Sequence, residues 1–136
     1  MGSTLVMDAV AGNVDRHGAN VLLQPGKDEP DVRMWAIDQG NALIGQPDSF
    51  LELGLDLADT SRHFTGLPLG SLEAPALAVS QAARSIPRDE VMGWMKECGE
   101  IAGEPRWQEI GDLLCRRLQA APDLAVRYLD ALRGAR

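Results

Sequence analysis

Residues 14–23 read VDRHGANVLL, and a further acid, Asp38, stands 18 positions past Asn20 in WAIDQG. Two acids, an amide and the Arg16–His17 pair are groups that suit a hard cation and a phosphate. Phosphoryl transfer leaves little covalent work to the protein, which must hold Mg2+ across the phosphates, orient the acceptor hydroxyl and neutralise charge. It calls for an acid beside the nucleophile, an oxygen ligand a short way along the chain, and a second acid from another segment. The spacing fits, with Asp15 as the orienting acid or base, Asn20 as a neutral metal ligand and Asp38 as the acid bridging metal to phosphates. The competing reading is a polar turn between helix and strand, where Asp, Gly and Asn occur for conformational reasons. That reading leaves Arg16, His17 and Asp38 unexplained.

The elements around these residues are readable from local pattern. STLVMDAVAGN predicts a helix with Ser3 or Thr4 near its N-cap, an apolar stretch from Leu5 to Val10, and Gly12 or Asn13 as its end. VLLQ and VRMWAI, separated by the turn-forming PGKDEPD, predict a β-hairpin. Such a hairpin is a rigid way to return Asp38 beside Asp15 and Asn20. DQGNALIGQPDSF and DTSRHFTGLPLGS read as loops around a short helix near SFLELGLDLA. Beyond Leu69 the chain turns helical: APALAVSQAARS; PRDEVMGWMKEC, ending near Gly99; EPRWQEIGDLLCRRLQ, with Trp107, Ile110, Leu114 and Leu118 at helical spacing; and PDLAVRYLDALRG, with Leu124, Tyr128, Leu129 and Leu132. The fold class expected is mainly α with one small β-hairpin.

Bulk properties narrow the function. The 136 residues make one domain. The formal charge of −7 lies wholly in residues 1–60, where ten acids face Arg16, Lys27 and Arg33. Such a chain lacks the basic footprint of a nucleic-acid binder and any polybasic membrane patch. There is no apolar run near 18 residues and no signal peptide, so no membrane insertion and a cytoplasmic location are expected. Cys98 and Cys115, without metal-ligand spacing, are expected as buried reduced thiols. Trp35, Trp94, Trp107, Met92 and Met95 are expected in the core, Arg116 and Arg117 on an exposed helix face, His63 in a loop, and Asp28, Glu29 and Asp31 solvated in the hairpin turn.

AGNVDRHGANVLL followed by VRMWAIDQGNAL resembles the catalytic loop and metal-binding segment shared by phosphatidylinositol 3/4-kinases and the bacterial HipA-like kinases, both atypical relatives of protein kinases. The resemblance is specific over residues 5–45 and looser beyond. It implies that Asp15 is the catalytic acid/base and that Asn20 and Asp38 hold magnesium on the nucleotide. It also implies that His17 supports loop geometry or phosphate charge, and that Arg16 joins this catalytic group by pairing with a nearby acid. The cofactors implied are ATP and Mg2+. The fold implied is a kinase-like C-terminal lobe, a helical bundle around the catalytic loop, with residues 1–45 forming loop and hairpin and 46–136 the helical part.

The departures matter equally. No glycine loop of kinase or P-loop type is present, and the lysines are Lys27 in the hairpin turn and Lys96 in a late helix. The motif starts at residue 15, which leaves no room for an N-terminal nucleotide-binding lobe, and the opening MGS resembles a cloning leader, so a piece of a longer protein is one expectation. The alternative function is a non-catalytic binding or regulatory module that acts through a protein partner, or a second copy, covering the place of the missing lobe.

Overall fold

A computed structural model describes residues 2–25, 32–36, 42–58 and 70–134. Over these residues the chain is mainly helical. Helix α1 spans Gly2–Ala11 and is followed by a 3₁₀ turn at Gly18–Asn20. Strands β1 (Val21–Pro25) and β2 (Val32–Ala36) pair antiparallel, with Val21 opposite Ala36 and Leu22 opposite Trp35. A 3₁₀ turn at Ala42–Gly45 leads into α2 (Pro47–Leu53), and α3 (Gly70–Arg84), α4 (Arg88–Ala102), α5 (Trp107–Gln119) and α6 (Ala121–Gly134) complete the order.

α1 is the central helix of the bundle. Leu5, Val6, Ala9 and Val10 are all at most 3% exposed and pack with Leu72 and Ala76 of α3, Leu118 of α5, and Leu124, Ala125, Tyr128 and Leu129 of α6. Burying each of the large aliphatic side chains contributes roughly 1.5–3 kcal/mol. In α6 the buried positions Ala121, Leu124, Ala125, Tyr128, Leu129 and Leu132 follow the 3.6-residue period, so one face seals the bundle while the other meets water. A smaller cluster of Phe50, Ile110 and Leu113 fastens α2 to α5. Arg106, at the turn before α5, adds ion pairs to Asp48 of α2 and to Glu104.

Helix ends follow glycines, though not always those the sequence suggests. α1 stops at Gly12, whose φ of 61° is the left-handed conformation glycine adopts at least cost, and Asn13 N–H closes the turn onto the Asp8 carbonyl at 3.0 Å. The same device ends α4 at Gly103 (φ 70°), where Glu104 N–H reaches the Gly99 carbonyl at 2.9 Å. The expected stop at Gly99 is therefore one turn early. Gly99 is buried inside α4 because Trp107 of α5 occupies the space a side chain would need.

Other expectations are corrected by burial. α1 runs from Gly2, so Ser3 and Thr4 lie inside the helix rather than capping it. α3 begins at Gly70 and holds Pro75 in its second turn. Cys98 is exposed, whereas Cys115 is buried and its thiol is pushed up by desolvation. Trp94 is 49% exposed, because α4 turns only its Val91, Gly99 side inward. Arg116 is exposed as expected, but Arg117 is fully buried. Lys27, Asp28, Glu29, Asp31, His63 and the side chain of Trp35 lie outside the described residues.

Candidate functional site

The loop from Asn13 to Asn20 springs from the C-terminal end of α1 and runs straight into β1. Apart from the 3₁₀ turn at Gly18–Asn20, its backbone is held by side chains. Asp8, in the last turn of α1 and 2% exposed, is the hub. Its Oδ1 accepts from Asn13 Nδ2 at 2.9 Å and from Arg16 Nη2 at 3.0 Å, and its Oδ2 accepts from Arg16 Nε at 2.9 Å. Arg16, 1% exposed, thus clasps Asp8 with two nitrogens and uses Nη1 to donate to the Asn20 carbonyl at 3.0 Å.

From these anchors the hydrogen bonds reach the two residues of interest. Asn13 Oδ1 accepts from Asp15 N–H at 3.0 Å, and Asn20 Nδ2 donates to the Asp15 carbonyl at 2.6 Å. The set closes on itself: Asp8 to Asn13 to Asp15 to Asn20 to Arg16 and back to Asp8. Asn20 is 6% exposed and its amide nitrogen is engaged inside the ring, while no hydrogen bond among the described residues reaches its Oδ1. The oxygen that a cation would use is thereby left without a hydrogen bond among the described residues.

Asp15 and His17 are the open members of the loop, with side chains 32% and 43% exposed. His17 Nδ1 accepts from Ala19 N–H at 3.2 Å, so the ring carries a proton on Nε2, which faces Asp15 Oδ1 at 3.6 Å. The imidazole thus lies beside the carboxylate.

Two further groups support the loop from behind. Tyr128 of α6 is buried close to the Asp8–Arg16 pair, and its hydroxyl is held far above the ordinary tyrosine range, first by desolvation and then by the Asp8 charge. Arg117 of α5 donates Nε to the Val10 carbonyl at 2.7 Å and Nη2 to the Ala9 carbonyl at 2.6 Å, which are among the unpaired carbonyls at the end of α1. Its Nη1 reaches the carbonyls of Gly54 at 2.5 Å and Asp56 at 2.9 Å. Burial, and secondarily the charge of Arg127, bring the Arg117 guanidinium down to about 10, still protonated at neutral pH. The negative end of the α1 dipole is its counter-charge.

The sequence-predicted residues thus fall into three groups. Asp15, His17 and Asn20 are brought together on one loop; Arg16 is its buried support; and Asp38 lies outside the described residues. The described residues hold no cluster of three or more His, Cys, Asp or Glu side chains. Of the two residues expected to hold a metal, Asn20 is the one described, and its amide oxygen is a hard donor of the kind magnesium takes. Arg117 and the hub role of Asp8 went unread in the sequence. For Arg117 the signal was its helical phase, seven residues past Ile110 and on the same buried stripe. No helix among the described residues is long and apolar enough to cross a membrane. Comparison of the chain with protein-family models, curated proteins and solved structures returned no match.

Proposed function

We propose that this chain is the C-terminal lobe of an ATP- and Mg2+-dependent phosphotransferase of the HipA-like or phosphatidylinositol 3/4-kinase-like type, acting on a hydroxyl acceptor. The observation that carries the reading is the engagement of Asn20, whose nitrogen is fixed to the Asp15 carbonyl while its Oδ1 takes no hydrogen bond among the described residues, on the loop that also carries the Asp15 carboxylate 3.6 Å from His17. Asp15 would accept the acceptor hydroxyl's proton as the hydroxyl oxygen bonds to the γ-phosphorus and the bond from that phosphorus to the departing ADP breaks. Asn20 and Asp38 would hold the magnesium, which supplies charge neutralisation on the nucleotide phosphates when bound. Arg16 serves as a positioning group, since both its charge and its donors are directed inward.

The test is phosphoryl transfer from ATP to a hydroxyl acceptor by wild type, Asp15→Asn and Asn20→Ala. Loss of the acid/base group is expected to lower turnover by roughly 10²-fold to 10⁴-fold with nucleotide affinity little changed. Asn20→Ala is expected to raise the magnesium concentration required. Unaltered turnover in Asp15→Asn refutes the assignment.

A second reading, a non-catalytic module working through a protein partner, is favoured by two observations. Lys96, the lysine among the described residues, lies exposed on α4 beside Glu100 at 3.8 Å, so the loop has no described lysine to meet phosphate. Exposed Met7 on α1 and Leu22 on β1, flanking the loop in sequence, offer apolar surface to such a partner. Partner association that survives Asp15→Asn, with no phosphoryl transfer by wild type, would favour this reading.

A further inference from the structure

We infer that Asp8 is a positioning residue for the loop, a role that deepens the reading above and rests on it for its functional meaning. A carboxylate in the last turn of a helix is unfavourable twice over: it meets the negative end of the helix dipole, and here it is almost fully removed from water. A side chain meant only to pack α1 into the bundle would be apolar, as its neighbours Leu5, Val6, Ala9 and Val10 are. What Asp8 adds is direction. Its two oxygens take three donors, and each partner carries the constraint onward to a different point of the loop.

Through Asn13 it fixes the Asp15 N–H; through Arg16 it fixes the Asn20 carbonyl; and the bond from Asn20 Nδ2 to the Asp15 carbonyl closes the ring. Asp15 and Asn20 are thereby set relative to each other through the Asp15 backbone and the Asn20 amide nitrogen and carbonyl. An apolar replacement of the ion pair could match its stability, because buried pairs often contribute no more than well-packed hydrophobic residues. It could not reproduce the hydrogen bonds that aim the loop. Positioning and plain structural support are therefore separable.

The experiment compares wild type, Asp8→Asn and the double variant Asp8→Leu/Arg16→Met by three readouts: thermal unfolding, amide hydrogen exchange at residues 13–20, and Mn2+ binding followed by paramagnetic broadening. Asp8→Asn leaves a buried guanidinium without its carboxylate and is expected to be less stable. The double variant is expected to recover stability while the amides of Asp15 and Asn20 still exchange about tenfold faster than in wild type, the effect of losing one or two hydrogen bonds. Recovery of wild-type exchange in a stable double variant would overturn the inference and leave Asp8 a structural ion. If the double variant does not recover stability, exchange rates in Asp8→Asn relative to its own global unfolding decide the same point. Mn2+ binding reads the proposed function separately: failure of wild type to show broadening at Asp15 and Asn20 counts against the metal site and leaves the exchange result to judge Asp8.

Discussion

Tyr128 is the single tyrosine of the chain, which makes it a direct reporter of the environment behind the loop. Desolvation and the nearby Asp8 carboxylate both oppose formation of its phenolate, so its folded-state value lies above the unfolded one. The stabilisation linked to this group is present below the pH at which a free tyrosine ionises, about 10, and is lost as pH rises beyond it. Ultraviolet absorbance should show no tyrosinate as pH passes that point until the chain unfolds, and then a single cooperative rise. A smooth titration near the free value in a folded chain would contradict the burial described here. Arg117 makes a second claim at this scale. Replacing it by Ala strands four backbone carbonyls at the junction of α1 with residues 54–56. Urea unfolding should show a loss of about 3–5 kcal/mol, comparable to breaking a buried ion pair. The adjacent exposed Arg116→Ala should change stability by no more than about 0.5 kcal/mol. Equal effects of the two would contradict the assignment of their faces.

Helix α4 gives a test in which one substitution type has opposite signs at two positions. Gly93 is exposed and has open space around an added methyl group, so Gly93→Ala should stabilise by roughly 0.5–1 kcal/mol through helix propensity. At Gly99 the same methyl would run into Cβ of Trp107, an atom tied to the α5 backbone, and overpacking of that kind costs about 1–3 kcal/mol. Chemical denaturation of the two variants should shift the midpoint in opposite directions. The same glycine explains what was and was not legible in the sequence. The periodic apolar stripes of α5 and α6 announce themselves because packing there follows composition, and the buried residues Leu124, Tyr128, Leu129 and Leu132 are those the pattern marks. Gly99 looks like a stop signal by residue type, yet its role is close approach to another helix, and a long-range contact leaves no local trace. Trp94 fails for the converse reason: an aromatic side chain suggests burial, but its phase on α4 points it away from α5. In the loop, residue types and spacing made Asp15, His17 and Asn20 readable as a group. The Asp8 hub depends on where α1 ends, which spacing alone does not give.

Across the molecule, the described part of the chain is organised to hold one loop. α1 delivers it, α3 and α6 bury α1, and α5 reaches back with Arg117 to fasten the end of α1 from which the loop departs. All of the chain's excess negative charge lies in residues 1–60, the portion that carries the loop and strands. Such a region favours a divalent cation and disfavours a bare polyphosphate, so nucleotide should bind here as its metal complex. Calorimetric titration of the chain with ATP, with and without Mg2+, alongside Asn20→Ala and Asp38→Asn, tests this claim most directly. The account predicts binding that requires magnesium and is lost in both variants; binding that is indifferent to magnesium, or that persists unchanged in Asn20→Ala, would contradict it.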